Sequence, residues 1–140
     1  MDNLSSFDRR KTMQAVKSSR TSLERSFASQ LASRGIRGWK CNFVGVSGKP
    51  DFAFPREKIA LFIDGCFWHG CWKCQKPLPV ANAEYWFLKI ERNKKRAKKV
   101  GRELRSMGWI VLRFWEHDLK EPSLRPKLMH KVLNSMKKNS

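Results

Sequence analysis

The run Ile59-Ala60-Leu61-Phe62-Ile63 is apolar at every position and too short for an independent helix, so it reads as a β-strand buried on both faces. Such a strand needs cover on each side, and helical patterns elsewhere in the chain supply it. The expected class is α/β, a central mixed sheet flanked by helices. The run leads directly into Asp64-Gly65-Cys66-Phe67-Trp68-His69-Gly70-Cys71-Trp72-Lys73-Cys74, and Gly48-Lys49-Pro50-Asp51-Phe52-Ala53-Phe54 lies a short turn before it. Two carboxylates, a histidine, bulky aromatics and a cluster of thiols thus stand at the ends of two strand-like segments.

Residues 1–20 are polar and basic, with Met13 and Val16 as the main apolar features, and read as an arm or short helix. One domain is expected over residues 21–140. Thr21-Ser22-Leu23-Glu24 has capping-box spacing, and Leu23, Phe27 and Leu31 recur at helical spacing until Gly35 offers a stop. Trp39 to Val46 and Pro50 to Phe54 are expected strands, the second closed by Pro55 and a charged turn at Arg56-Glu57-Lys58. From Asn82 to Met107 the positions Phe87, Ile90, Ala97, Val100 and Leu104 form one apolar stripe among lysines and arginines, predicting a long helix that ends before Gly108. Trp109 to Trp115 alternates as a strand. After Pro126, Leu128, Val132 and Met136 share one side of a last helix. The order is helix, three strands, long helix, strand, helix, without internal repeat or low-complexity tract.

Lysine and arginine number 30 against 12 acidic residues, a formal charge of +18 that repels itself unless a polyanion neutralises it. Nucleic acid is the first partner implied; an anionic membrane surface and a merely soluble basic protein are the competing readings. Six Trp and nine Phe favour nucleic acid, because aromatic rings stack on or wedge between bases. The N-terminus has no charged leader followed by an apolar core, and no apolar run approaches the ~18 residues that span a bilayer. The expected compartment is the cytosol, where thiols stay reduced and clustered cysteines hold metal more often than they form disulfides.

Asp51 opens one strand and Asp64 ends its neighbour. If the strands pair, both carboxylates converge at one sheet edge, where hard oxygen ligands suit Mg2+ bridging a phosphate and an attacking water. Taken singly, each Asp is equally a turn residue or a solvating charge. An acid at each of two neighbouring strands in a strongly basic chain favours the functional reading. Glu24 is explained in full by the capping box. His69 is placed to act as general acid or base, or to stabilise charge on phosphate, and equally to bind zinc.

Cys66-x4-Cys71-x2-Cys74 sets three thiols within nine residues, and its second half has a zinc-ligand spacing. His117, His69 and Cys41 are candidates for a fourth ligand, with a disulfide as the alternative. A zinc held by four side chains would be structural, having no position open to water, and would pin the loop that carries Phe67 and Trp68. Held out of the core, those rings and Trp86 could enter a base stack, most cheaply at a mismatch. Core packing is the competing account, and the better one for most aromatics here, Trp109 and Phe114 included. Eight lysines and arginines between Lys89 and Arg102 face only Glu91 and Glu103 in balance, a surface for phosphate contact that gives affinity, not sequence choice.

These residues together resemble the very short patch repair (Vsr) mismatch endonucleases. The likeness runs from about Lys11 to Leu119 and is most specific in Gly65-Cys66-Phe67-Trp68-His69, with support from Pro50-Asp51, Glu84-Tyr85-Trp86, Gly108-Trp109, Val111-Leu112 and Trp115-Glu116-His117. It implies a restriction-endonuclease-like fold of the PD-(D/E)xK type and Mg2+-dependent nicking of duplex DNA 5′ to the thymine of a T·G mismatch, the lesion left when 5-methylcytosine deaminates. The resemblance also implies Asp51 as principal Mg2+ ligand with the Ile63 carbonyl beside it, His69 as the catalytic histidine and Glu24 as an acid near the site. Phe67, Trp68 and Trp86 match intercalating rings, Met13 an apolar residue entering DNA from the arm, and Cys66, Cys71 and His117 zinc ligands.

Two positions depart from the best-known member. Asp64 stands where it has a second catalytic histidine, and Lys73 where it has the fourth zinc ligand. The expectation for this chain is that Asp64 adds charge at a centre of one or two Mg2+ ions, and that Cys74 completes a single structural Zn2+ site with Cys66, Cys71 and His117. His69 is then left for chemistry. The implied partners are mismatched double-stranded DNA, mismatch-repair proteins and a cytosine-5 DNA methyltransferase. The implied state is a monomer in the bacterial cytosol or nucleoid, without a membrane.

The leading expectation is thus a strand-specific mismatch nickase. A restriction-type or structure-selective nuclease on the same scaffold is the first rival. A zinc-stabilised DNA-binding module without catalysis is the second, disfavoured because phosphate binding gains nothing from added carboxylates.

Overall fold

The computed structural model describes residues 22–71, 73–74 and 78–139. The arm with Met13, and the capping position Thr21, lie outside the described residues. Helix α1 spans 22–33 and buries Leu23, Phe27 and Leu31, the spacing read above. It stops at Gly35, whose φ of 70° is the left-handed turn that lets the Ile36 N–H reach the Leu31 carbonyl and the Gly35 N–H reach that of Ala32, both at 3.0 Å.

The elements that follow are β1 (Lys40–Cys41), β2 (Phe52–Phe54), β3 (Ile59–Asp64), α2 (Ala83–Ser106), β4 (Ile110–Trp115), α3 (Glu116–Leu119), a 3-10 turn (Pro122–Leu124) and α4 (Arg125–Asn139). The sheet order is β1-β2-β3-β4. Its first two pairings are antiparallel, and β3 and β4 run parallel. Parallel neighbours need a long crossover, and α2 provides it.

Period-two alternation sorts the sheet into two faces. Ile59, Leu61 and Ile63 of β3, Phe52 and Phe54 of β2 and Phe114 of β4 pack with Leu23, Phe27 and Leu31 of α1 and Leu128, Met129 and Val132 of α4. This is the main core, where each fully buried side chain contributes about 1.5–3 kcal/mol. Ala60 and Phe62 turn the other way, onto Val100 and Leu104 of α2, with Val111 and Trp109 beside them. Asp64 and Arg113 share this second face by the same alternation.

Four features differ from the sequence reading. The expected strand from Trp39 to Val46 contracts to Lys40–Cys41, because Asn42 adopts a φ of 49° and leaves extended geometry. Strand β2 starts at Phe52, with Asp51 in the bend before it and not on the strand, whereas Asp64 ends β3 as expected. The short α3 was not expected. On α2 the buried stripe includes Trp86, 1% exposed, whereas Phe87 is 54% exposed. Both precede Ile90 by a helical interval, so spacing alone could not choose between them.

Candidate functional site

Beyond the small cluster under α2, the sheet and helix leave a cavity of about 390 Å³. Asp51, Ile63, Asp64 and His69 all line it, with Lys49, Lys89, Arg96 and Arg113 among the cationic neighbours. Asp51 and Asp64 are only 2% and 8% exposed. The Ile63 N–H donates to Asp51 Oδ2 at 2.6 Å, joining the bend before β2 to the end of β3. The preceding loop is pressed onto α2: Gly48 has a φ of 82°, and a Cβ there would lie 2.3 Å from Val100 Cγ1. Only glycine fits, which fixes the approach of Lys49 and Asp51 to the cavity.

Asp64 is the hub of the cavity's polar contacts. Its Oδ1 accepts from Arg113 Nη1 at 2.9 Å and lies 3.7 Å from His69 Nε2. Arg113 went unremarked as a functional residue in the sequence, although a lone cation within the apolar strand Ile110–Trp115 was a legible signal. Glu24 sits on α1, whose apolar side packs on the opposite face of the sheet, and is not among the residues lining the cavity.

The thiols form a second group at the same end of the sheet. Ligand atoms of Cys66, Cys71, Cys74 and His117 all lie within 4.8 Å of one another. His117 Nδ1 is 3.3, 3.5 and 3.3 Å from the sulfurs of Cys66, Cys71 and Cys74. A tetrahedral zinc with nitrogen at ~2.1 Å and sulfur at ~2.3 Å would separate such atoms by about 3.6 Å. The group could therefore hold a metal ion such as zinc. All four cysteines are free thiols, and Cys41 is exposed on β1, apart from the group. His69 is turned to the cavity instead.

Neighbouring residues brace this group. His117 Nε2 lies 3.1 Å from Asp118 Oδ1, which orients the ring so that Nδ1 faces the sulfurs. The Cys66 N–H donates to Glu116 Oε1 at 3.1 Å. Burial, together with the nearby thiols, pushes the Cys66 thiol up to about 12. At Cys71 burial also opposes the thiolate, but the N–H groups of Cys74 and Lys73 and the contacts with the Cys74 and Cys66 sulfurs prevail and lower it.

Between the two groups the chain makes a compact turn, with the His69 N–H on the Gly65 carbonyl and the Cys71 N–H on that of Cys66, each at 3.0 Å. Asn93 Nδ2 ties the turn to α2 through the Trp68 carbonyl at 3.3 Å. Phe67 and Trp68 are partly exposed, their centroids 5.1 Å apart. They lie 5.6 and 5.7 Å from Trp86. Trp86 itself does not project as the sequence reading had it: its burial makes it the floor beneath the other two rings. Lys89 Nζ sits 5.3 Å from the Trp68 ring centre.

The family profile described as "DNA mismatch endonuclease Vsr" matches residues 1–76. The chain belongs to the Vsr family. It is similar to the Type II nicking enzyme V.NmeDIP of Neisseria meningitidis serogroup C, with 42% identity over 120 residues that cover 85% of this chain and 80% of the relative. It is 43% identical over 125 residues to the Type II nicking enzyme V.HpaIIP of Haemophilus parainfluenzae, covering 87% and 88% respectively. To the DNA mismatch endonuclease Vsr of Escherichia coli (strain K12) the identity is 32% over 108 residues, 77% of this chain and 69% of the relative. As a Vsr-family protein the chain is a DNA endonuclease, and the non-catalytic DNA-binding module drops out. Among the described residues no helix is long and apolar enough to cross a membrane.

Proposed function

We propose that this endonuclease nicks one strand of duplex DNA, 5′ to the thymine of a T·G mismatch, in a Mg2+-dependent reaction on a PD-(D/E)xK scaffold. The supporting observation is the convergence of Asp51, the Ile63 peptide, Asp64 and His69 on one cavity rimmed by basic side chains. A buried carboxylate is a hard donor of the kind Mg2+ selects. Asp51 and the Ile63 carbonyl would hold the ion, since the Ile63 N–H already meets Asp51 and a strand residue's N–H and carbonyl address the same edge. Asp64 adds charge, but Arg113 engages its Oδ1, so Asp51 carries the larger share. When bound, Mg2+ polarises the phosphoryl group and lowers the pKa of a water.

The chain's own residues do the rest. His69, steadied by Asp64, moves a proton at the scissile phosphate. Lys49, Lys89 and Arg96 neutralise backbone phosphates and set the register of the duplex. Phe67 and Trp68 enter the stack at the mispair, with Trp86 as their buried backing. Cys66, Cys71, Cys74 and His117 would hold a structural Zn2+, bracing the loop that presents those rings. Glu24, on α1 and outside the cavity lining, acts on the site as a remote acid, and Met13 enters the DNA from the arm formed by residues 1–20, which precedes the domain of residues 21–140. The enzyme works as a monomer in DNA repair in the bacterial cytosol, on lesions left after a cytosine-5 DNA methyltransferase has acted, with mismatch-repair proteins as partners.

A second reading has its own support. Two of the similar proteins are Type II nicking enzymes by name, which suits a nickase without T·G preference. Strand-labelled duplexes carrying T·G, other mismatches or matched pairs, incubated with and without Mg2+, decide between them. The expected outcome is one cut strand, at T·G alone and only with Mg2+. Matched duplex cut equally fast would establish the second reading.

A further inference from the structure

We infer that Arg113 is a positioning residue for the nicking reaction, setting the Asp64 carboxylate and, through it, the His69 imidazole. The inference rests on the reading of His69 and Asp64 given above. Arg113 is held from three directions. Nη1 donates to Asp64 Oδ1 at 2.9 Å, Nη2 donates to the Ala97 carbonyl at 3.1 Å, and the guanidinium carbon lies 4.2 Å from the centre of the Phe62 ring. These acceptors and the ring belong to the end of β3 and to α2. A planar fork with fixed donor directions, stacked on a ring and bonded to two elements, has one orientation open to it.

That rigidity passes to Asp64, whose Oδ1 stands 3.7 Å from His69 Nε2. The same oxygen therefore takes its place from Arg113 and offers it to the imidazole. Charge points the same way. Asp51 and Asp64 bring two nearly buried carboxylates to a cavity that must admit a phosphodiester, and a buried carboxylate without a partner is costly. Arg113 supplies that partner to Asp64. A lysine could match the charge but could not span Asp64 and Ala97 at once.

A double-mutant cycle reads this directly. Single-turnover nicking at saturating DNA, DNA affinity and Tm are measured for wild type, Arg113→Ala, Arg113→Lys, Asp64→Asn and the Arg113→Ala/Asp64→Asn pair, on whichever duplex the wild type cuts. Arg113→Ala is expected to lower the rate by about 100-fold, the usual scale for a misplaced group, with DNA affinity changed less than about threefold. Added guanidinium ion should restore roughly tenfold of that loss, and only while Asp64 is present. Arg113→Lys should recover little. The double variant should be no slower than Asp64→Asn alone.

Independent, multiplying losses would overturn the inference, as would Arg113→Ala variants that melt earlier yet nick at the wild-type rate below their Tm. If Arg113→Ala does not fold, Arg113→Lys with and without Asp64→Asn completes the same cycle. Wild-type nicking by Asp64→Asn would instead strike the underlying reading of Asp64 and His69, a separate failure from loss of coupling.

Discussion

The cavity around Asp51 and the thiol group around His117 hang from the same turn, residues 65–71, and are made of opposite donors. The cavity collects carboxylate oxygens, a peptide and an imidazole around about 390 Å³ of space. The thiol group draws three sulfurs and one nitrogen to within 4.8 Å of each other, leaving room for an ion and little else. Soft ligands closing on all sides suit a brace; hard ligands with space beside them suit chemistry on a phosphate. Cys66 and Cys71 flank His69 in sequence, so the closed group sets the position of a side chain in the open one. The difference teaches how a chain with few carboxylates places them accurately: a ligand group that could hold a metal ion closes on the turn, while the bend before β2 and the end of β3 carry the acids.

The largest test separates the two directly. Asp51→Ala should reduce nicking by at least about 1,000-fold, the several kcal/mol expected from losing a metal-borne charge, while DNA binding in a gel-shift or anisotropy assay is retained. Nicking at the wild-type rate would mean that the open group is not the reaction centre. Next comes the brace. Cys71→Ser should release the metal, seen by elemental analysis, and lower Tm by about 10 °C for a loss near 3 kcal/mol; unchanged metal content and melting would break the contrast between clamp and cavity.

A smaller effect is expected where the clamp presents its rings. Phe67→Ala or Trp68→Ala should cut the preference for mismatched over matched duplex by roughly tenfold, a portion of the unstacking energy such wedges repay. An unchanged ratio would confine those rings to packing. Least of all should change with Phe87→Ser. This exposed ring on α2 should shift stability by no more than about 0.5 kcal/mol in denaturant melts, and a larger shift would mean that its surface is covered.

Much of this was legible in local pattern. Leu23, Phe27 and Leu31 announce α1, the unbroken apolar run announces β3, and Ile90, Val100 and Leu104 announce the buried side of α2, because periodicity is a property of neighbouring residues. The cysteine spacing likewise marks a ligand cluster before any fold is known. Contacts between distant segments were not legible. Whether Trp86 or Phe87 turned inward depended on the turn at Phe67 and Trp68 covering one side of the helix. Whether His69, Cys41 or His117 joined the thiols depended on β4 delivering His117 to the same end of the sheet. The pairing of Arg113 with Asp64, 49 positions apart, arises only once β3 and β4 lie parallel in register. Sequence alone determined α1, β3, most of α2 and the kinds of donor available; tertiary structure decided which donors meet, because that choice is made by long-range packing and not by any local spacing.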